Sequence, residues 1–354
     1  MKHLNLKEGD RLRRQCVGVD ISKSKFTFCL CQSTEQDVHV YSIPKEFAND
    51  DSGFKKLMDW SGTMVDNTVP ISFLMEATGC YHESLAIYLV SHGYVVYVVH
   101  APKAKNFARL HGQRTKTDIV DSKMLATMGC DTPGLMPWPL PDEKYLKLRN
   151  MSRLSEQLEK TRTQIQGRLE AASHSGYIDR AVIRKHKSLL KYVEKLKESN
   201  TAEMEELISL DQRMSKAVND MQSIKCVGRK TAIMVLAETM GFHQMTNAKQ
   251  VTSYAGLDVK KSQSGAVDKK GHMTKHGNAH LMGGLYFPAI VGSWSNPHLM
   301  EDYNRICLSH PQSKNIALVA LERKLLCLMY SIWKSGKQWN PEYGQDKKQE
   351  ETMS

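Results

Sequence analysis

The spacing of apolar residues changes partway along the chain, and that change limits the fold to two architectures in series. Before about residue 140 the apolar residues come in short, often β-branched runs. These are Cys16-Val17-Gly18-Val19-Asp20-Ile21, Phe26 to Leu30, Ile71-Ser72-Phe73-Leu74-Met75 and Tyr94 to Val99. Runs of this length predict strands. Residues 82–92 and 102–111 predict helices, the second opened by Pro102, which suits a first helical turn. Strands alternating with helices predict an α/β domain with a mixed sheet over 16–135. From about Asp142 to Ser223 the apolar residues instead fall at helical spacing, from Leu148, Met151, Leu154 and Leu158 through to Met214, Val218 and Met221. This predicts two long helices turning near Ser173 to Asp179, a hairpin or coiled-coil segment over 136–223 that should pack on another chain. Residues 224–340 predict a third, mainly helical unit with one Gly- and Lys-rich loop between Val259 and Gly277. A loose basic arm (1–15) and a disordered polar tail (341–354) complete the expected organisation.

The charge balance narrows the partners. Lys and Arg number 49 against 38 Asp and Glu, a net charge of +11. An excess of this size favours a polyanion, nucleic acid first. A 41% hydrophobic content is enough for an ordinary core. The longest strongly apolar run falls far short of the ~20 residues a membrane helix needs. The N-terminus carries no apolar signal core, so a cytoplasmic protein without a membrane partner is expected. The eight cysteines are scattered and form no CxxC pair, which argues against a disulfide framework or a zinc site and for a reducing compartment.

Four carboxylates are the candidate chemistry. Asp20 and Glu76 end apolar strands, where ligand sites of α/β folds collect. Asp118 and Asp121 lie i, i+3 on a helix and so share a face. Bunched carboxylates repel unless a cation neutralises them, and hard divalent cations take oxygen ligands. Two Mg²⁺ ions in such a cluster stabilise the attacking and leaving oxygens at a phosphate. Arg109, Arg114, Lys116 and Lys123 flank the helix and could hold a phosphate backbone. The alternative is that Asp118 caps its helix and Asp121 is a solvated first-turn acid.

Two further segments suggest nucleic-acid contacts. Ile224 to Ala232 resembles a helix-hairpin-helix, with Cys226 where glycine is usual. Gly228, Arg229 and Lys230 would meet a DNA phosphate there, or the segment is a plain helix–helix turn. The stretch Tyr254 to Leu281 holds Lys260, Lys261, Lys269, Lys270 and Lys275. Ser264, directly before Gly265, could be an exposed nucleophile, with Ser262 as a close rival. His272, His276 and His280 recur every four residues. Gly271 and Gly277 interrupt any helix there, so polar or phosphate contacts are favoured over a metal site.

In order and spacing, Val17-Gly18-Val19-Asp20-Ile21-Ser22, Glu76-Ala77-Thr78-Gly79, Lys116-Thr117-Asp118-Ile119-Val120-Asp121, Tyr254-Ala255-Gly256-Leu257, Ser264-Gly265 and Thr274-Lys275-His276-Gly277-Asn278 resemble the DEDD transposases of bacterial insertion sequences. That family also holds the Piv/MooV-type DNA invertases. The resemblance spans roughly residues 16–340. It implies a RuvC-like (RNase H-type) domain with Asp20, Glu76, Asp118 and Asp121 as a Mg²⁺-binding tetrad, Mn²⁺ being a possible substitute. It implies a second catalytic domain from about residue 224, with Ser264 as a nucleophile that links covalently to DNA and Asn278 of its C-terminal motif as a nucleic-acid contact. It also implies a structured bridge RNA as guide, a dimer of dimers held through the coiled coil with the serine of one subunit completing another's metal site, and a bacterial, nucleoid-associated location. Ser122 stands where alanine is usual, and Met282 where arginine is common. A DNA invertase, a RuvC-like nuclease using water, and a non-enzymatic nucleic-acid-binding module are the competing functions.

Overall fold

The computed structural model describes residues 11–340, apart from Thr78, Arg114, Lys116, Ile178, Gly265, Ala266 and residues 274–276. The expected tail (341–354) and most of the expected arm (1–10) lie outside the described residues. The chain divides into two compact units, Met1–Leu140 and Pro141–Ser354.

The first unit is a mixed sheet with helices on both faces. Its elements are β1 (Leu12–Ile21), β2 (Lys25–Thr34), β3 (His39–Tyr41), β4 (Lys45–Ala48), α1 (Asp51–Met64), β5 (Ile71–Glu76), α2 (Glu83–Ser91), β6 (Val95–Val99), α3 (Ala101–Leu110) and α4 (Asp118–Asp131). The strand order is β3-β2-β1-β5-β6, with β4 also paired to β2. β1, β2 and β3 run antiparallel, whereas β1, β5 and β6 are parallel. This order is consistent with a RuvC-like DEDD domain. The β1 strand begins at Leu12, so residues 12–15 are not part of a loose arm. Gln15 is buried there, and its side chain donates to the Asp66 carbonyl at 2.6 Å and accepts from the Asp66 amide and from Gln32. A polar residue satisfied in this way hides the strand start from a hydrophobicity pattern. The elements β3, β4 and α1 fall where the sequence pattern assigns nothing.

Strand alternation sorts the residues of β1 onto two faces. Val17, Val19 and Ile21 join Phe26, Phe28, Phe54, Leu57, Trp60, Phe73, Met75, Leu85 and Leu89 in a core under α1 and α2. Cys16 and, in β5, Leu74 face the opposite way, into a smaller core with Leu125, Met128 and Cys130 of α4. Gly18 lies on that same face. A Cβ built there would stand 2.1 Å from the Ala126 amide nitrogen and 2.2 Å from the Ser122 carbonyl oxygen. Gly129 of α4 makes the matching approach from the helix side, where a Cβ would stand 2.1 Å from Cys16 Sγ. The helix therefore rests directly on the strand.

The second unit is mainly helical. Its elements are α5 (Glu143–Ser173), α6 (Arg180–Ser209), α7 (Gln212–Met221), α8 (Arg229–Glu238), α9 (Ala248–Tyr254), β7 (Val259–Ser264), β8 (Val267–Met273), α10 (Ala279–Ser295), α11 (Pro297–Ser309) and α12 (Lys314–Ser335). The long helices α5 and α6 pack antiparallel. Asn200 donates to the Met151 carbonyl at 2.9 Å and to Ser155 Oγ at 2.7 Å, and Lys197 pairs with Glu159. Leu158, Ile165 and Val193 form a small core of their own along the pair. At the other end Tyr145, Leu148, Met151, Met204 and Ile208 enter the main core with α7 to α10 and α12, so the pair is rooted in this unit. The second helical stretch breaks at Asp211, whose carboxylate accepts from the Arg213 and Met214 amides and starts α7. The expected Gly- and Lys-rich loop is a two-stranded ribbon, β7 paired antiparallel to β8. Its alternation is masked because lysines and serines occupy the positions that apolar residues mark in a half-buried strand. Among the described residues no helix is long and apolar enough to cross a membrane.

Gly18→Ala forces backbone against backbone and is expected to cost roughly 2–4 kcal/mol. Gly62→Ala in α1, where nothing lies within 4 Å of the new Cβ, is expected to gain roughly 0.5–1 kcal/mol. Denaturant unfolding of the two variants checks the contrast; equal effects would show that α4 does not rest on Gly18.

Candidate functional site

The parity that turns Gly18 toward α4 also turns Asp20 that way. In β5 the same parity turns Glu76 toward α4 with Leu74. Val19 is paired with Met75, so Asp20 and Glu76 come next in register at the carboxyl ends of adjacent parallel strands. Thr117 caps α4 by accepting from the Val120 amide, and Asp118 and Asp121 fall in the first turn. Ser122 is fully buried, with its hydroxyl donating to the Ile119 carbonyl at 2.9 Å. Asp20, Glu76 and Asp121 thus line one open cleft of about 320 Å³ between the strand ends, α3 and α4. Lys105 and Arg109 of α3 line the same cleft. Asp118, one turn before Asp121, is exposed and does not line it. Its charge acts on Lys25, whose ammonium is held above its usual range mainly by Glu46.

The donor set suits a hard cation. All three cleft carboxylates offer oxygen, and no thiol or imidazole joins them. Among the described residues no three His, Cys, Asp or Glu side chains already form a closed cage. Mg²⁺ is usually held by one or two carboxylates together with waters and substrate phosphate oxygens, so an open arrangement of this kind fits it.

In the second unit, the ribbon is tied at its root. The Asn278 amide donates to the Tyr254 carbonyl at 2.8 Å. A Cβ on Gly277 would stand 2.1 Å from the Gly256 amide nitrogen, so the two chain ends touch backbone to backbone. Beneath them lies Glu238, 1% exposed at the end of α8. Arg153 of α5 grips its carboxylate with two bonds of 2.7 and 2.8 Å, Asn278 Nδ2 donates to it at 2.7 Å, and the Tyr254 hydroxyl donates to its backbone carbonyl at 3.0 Å. Burial alone would raise this carboxyl, but the bonds from Arg153 and Asn278 hold it below its usual range. Burial pushes the Tyr254 phenol up.

The residues expected to touch nucleic acid divide into several groups. Arg109 lines the cleft, whereas Lys123 places its ammonium 4.0 Å from the centre of the Tyr41 ring. Gly228 starts α8 with no side-chain cap, and Cys226 adopts φ 95°, a region that favours glycine. Arg229 is held in two bonds by Glu205, with Nε at 2.6 Å, and lowers that carboxyl; Lys230 beside it is exposed. Asn278 is engaged structurally, because besides Glu238 it caps α10 through the His280 and Leu281 amides. His280 Nδ1 lies 2.6 Å from Glu156 of α5. Lys260, Lys261, Ser262 and Ser264 lie on β7, and Lys269, Lys270 and His272 on β8. The side chains of these ribbon residues, and Arg114, Lys116, Lys275 and His276 altogether, lie outside the described residues. Lys105 and the Glu238–Arg153 pair escape the sequence reading. The i, i+4 spacing of Lys105 and Arg109 was a usable signal for the first; a lone glutamate closing the apolar helix Ala232 to Ala237 was the signal for the second.

Residues 17–174 match the family model of the DEDD transposases of IS110 type, and residues 218–304 match that of the transposase IS116/IS110/IS902 family. Together these matches cover over two thirds of the chain. Pilin gene-inverting proteins of Moraxella bovis and Moraxella lacunata are each 26% identical over 321 residues, 89% of this chain and 94% of each relative.

Because Glu238 is held below its unfolded value, its ionised pair stabilises the fold above about pH 4.3 and is lost as pH falls through the lower folded value. Glu238→Gln is expected to cost about 2 kcal/mol at pH 7, roughly 4–8 °C in Tm for a unit of this size. Calorimetry at pH 7 and pH 3 checks this; the gap between wild type and variant should narrow at the lower pH.

Proposed function

Because this chain belongs to the DEDD transposases of IS110 type, enzymes that cleave and rejoin DNA, we propose that it works through a serine–phosphate intermediate at a divalent-metal site. The observation that carries this reading is the convergence of Asp20, Glu76 and Asp121, from two strands and a helix, on one cleft that also holds Lys105 and Arg109. Two Mg²⁺ ions, or Mn²⁺ in their place, held by these carboxylates and Asp118, would stabilise charge developing on the scissile phosphate. Ser264 Oγ attacks phosphorus and gives up its proton; the 3′-oxygen leaves and takes a proton, so the downstream strand stays on the serine through its 5′-phosphate. Attack by a 3′-hydroxyl reverses the step and rejoins a strand without external energy. Lys105 and Arg109 orient the phosphate.

The resemblance also suggests a structured guide RNA as partner; the net charge of +11 and the basic segments 103–123 and 180–197 suit RNA and DNA equally. If RNA pairing reads the DNA sequence, protein contacts fall mostly on backbone. Leu154 on α5 and Leu189, Tyr192 and Leu196 on α6 are exposed, which supports assembly of subunits through the helical pair as a dimer of dimers. The named relatives favour a second reading, inversion of a fixed DNA segment. The gene's flanks separate the two: an excisable element surrounding the gene favours transposition, and an adjoining invertible segment favours inversion.

The serine reading is tested in the native host. Rapid denaturation, digestion of nucleic acid and mass spectrometry should reveal a 5′-linked nucleotide on Ser264 that is absent in Asp20→Ala. Ser264→Ala and Asp20→Ala should each lower strand joining by at least about 10³-fold. Joining at the wild-type rate in Ser264→Ala removes the serine role, and an adduct on Ser262 moves the nucleophile by two residues. A ribonuclease-treated preparation that recombines at full rate excludes the guide RNA.

A further inference from the structure

We propose that the apolar side of the cleft between α3 and α4 is a slot for one unstacked nucleobase of the DNA strand whose phosphate meets Asp20, Glu76 and Asp121. This rests on the reading of those carboxylates given above. A site for metal and phosphate alone calls for polar walls, yet half of the residues lining this cleft are apolar. Ala101, Ala104 and Ala108 keep the α3 wall low. That leaves Phe107 of α3 and Met124 of α4 only half-buried and facing the opening. Phe107 is fixed in place: its ring centroid lies 4.1 Å from that of His111, and it packs against the core formed with Leu125 and Met128. Solvent therefore meets an ordered aromatic surface beside a charged one.

The charges select the occupant. Lys105 and Arg109 stand one turn apart on the wall that carries Phe107. An entering strand can give its phosphates to these cations and its base to the apolar surface, whereas an apolar peptide would leave both cations unused. The volume of about 320 Å³ lies at the small end of ligand sites, roughly 300–1,000 Å³. Stacking on an aromatic side chain contributes roughly 1–3 kcal/mol per base and accepts any base. A methionine wall adapts to differing outlines. The slot therefore offsets the cost of unstacking the nucleotide whose phosphate is to be cut and imposes no sequence of its own.

The test uses the full chain and single-stranded oligonucleotides of mixed sequence carrying 5-iododeoxyuridine, with Ca²⁺ in place of Mg²⁺ so that the strand is held uncut. After irradiation, mass spectrometry should find a nucleotide on Phe107 or Met124. Ala108→Trp, which fills the slot, should lower that adduct by at least about tenfold, the equivalent of one stacking contact. Phe107→Leu, which keeps the fold if Ala108→Trp does not, should move the adduct to Met124. Adducts confined to segments outside α3 and α4, or undiminished in Ala108→Trp, overturn the proposal. An adduct on Phe107 that forms equally in a chelator supports the slot and counts against the metal reading. No adduct in the slot, with Asp20→Asn still abolishing cleavage, overturns the slot and leaves the metal reading standing.

Discussion

The first unit depends on the contact of one helix with one strand at a residue that has no side chain. Hydrophobic packing normally holds a helix about 10 Å from a sheet, because side chains fill the space between them. At Gly18 that layer is missing, and the strand meets the backbone of α4 at Ser122 and Ala126. Gly129 repeats the arrangement against Cys16. Close-packed backbones hardly deform, so the first turn of α4 is delivered to the ends of β1 and β5 in one position. Asp121 comes to Asp20 and Glu76 as a consequence of packing several residues away, before any attraction to a cation is considered.

The second unit solves its positioning problem by other means. The ribbon follows a helical core, and its sequence offers few apolar residues to anchor it. Its two ends are instead held by backbone hydrogen bonds above a buried carboxylate. Burying Glu238 costs free energy, which Arg153 and Asn278 offset. Arg153 lies on α5, so the root of the ribbon and the base of the long helical pair share one ion pair. A shift of that pair would be felt at the ribbon.

Much of this was legible in the residues. The runs ending at Asp20 and Glu76 marked their strands because both faces of the central strands are covered, which keeps them apolar throughout. The helices α2, α3 and α5 lie within a residue or so of their expected limits, because caps such as Asp142 and the Pro102 turn act locally. The start of β1 was not legible, since Gln15 is polar and is satisfied by Gln32 of the neighbouring strand and by a loop some fifty residues away. The ribbon was not legible either, because its residues are those of a solvated loop and its pairing follows from how its ends are held. Asn278 shows a limit of a different kind. It was marked as a residue that matters, and its part in the structure is to join two elements. The grouping of Asp20, Glu76 and Asp121 was foreseeable by pattern; the exclusion of Asp118 from the cleft lining was not, because it turns on where α4 begins relative to the sheet edge.

The distribution of thiols has a practical consequence. Cys16, Cys29, Cys31 and Cys130 are buried in the sheet and its helix; burial pushes the Cys16 and Cys29 thiols up, and Cys31 is raised first by its hydrogen bond with Cys130 and then by burial. Cys226 is pushed up to about 11 and Cys327 is also raised, both by burial. A thiol without thiolate is slow to alkylate. Cys80 is exposed four residues beyond Glu76, so in the native chain a maleimide dye should attach there before reaching the buried thiols. The protein thus carries an intrinsic attachment point close in sequence to Glu76, through which, once the partly exposed Cys307 is replaced by serine, occupancy of the cleft could be followed optically.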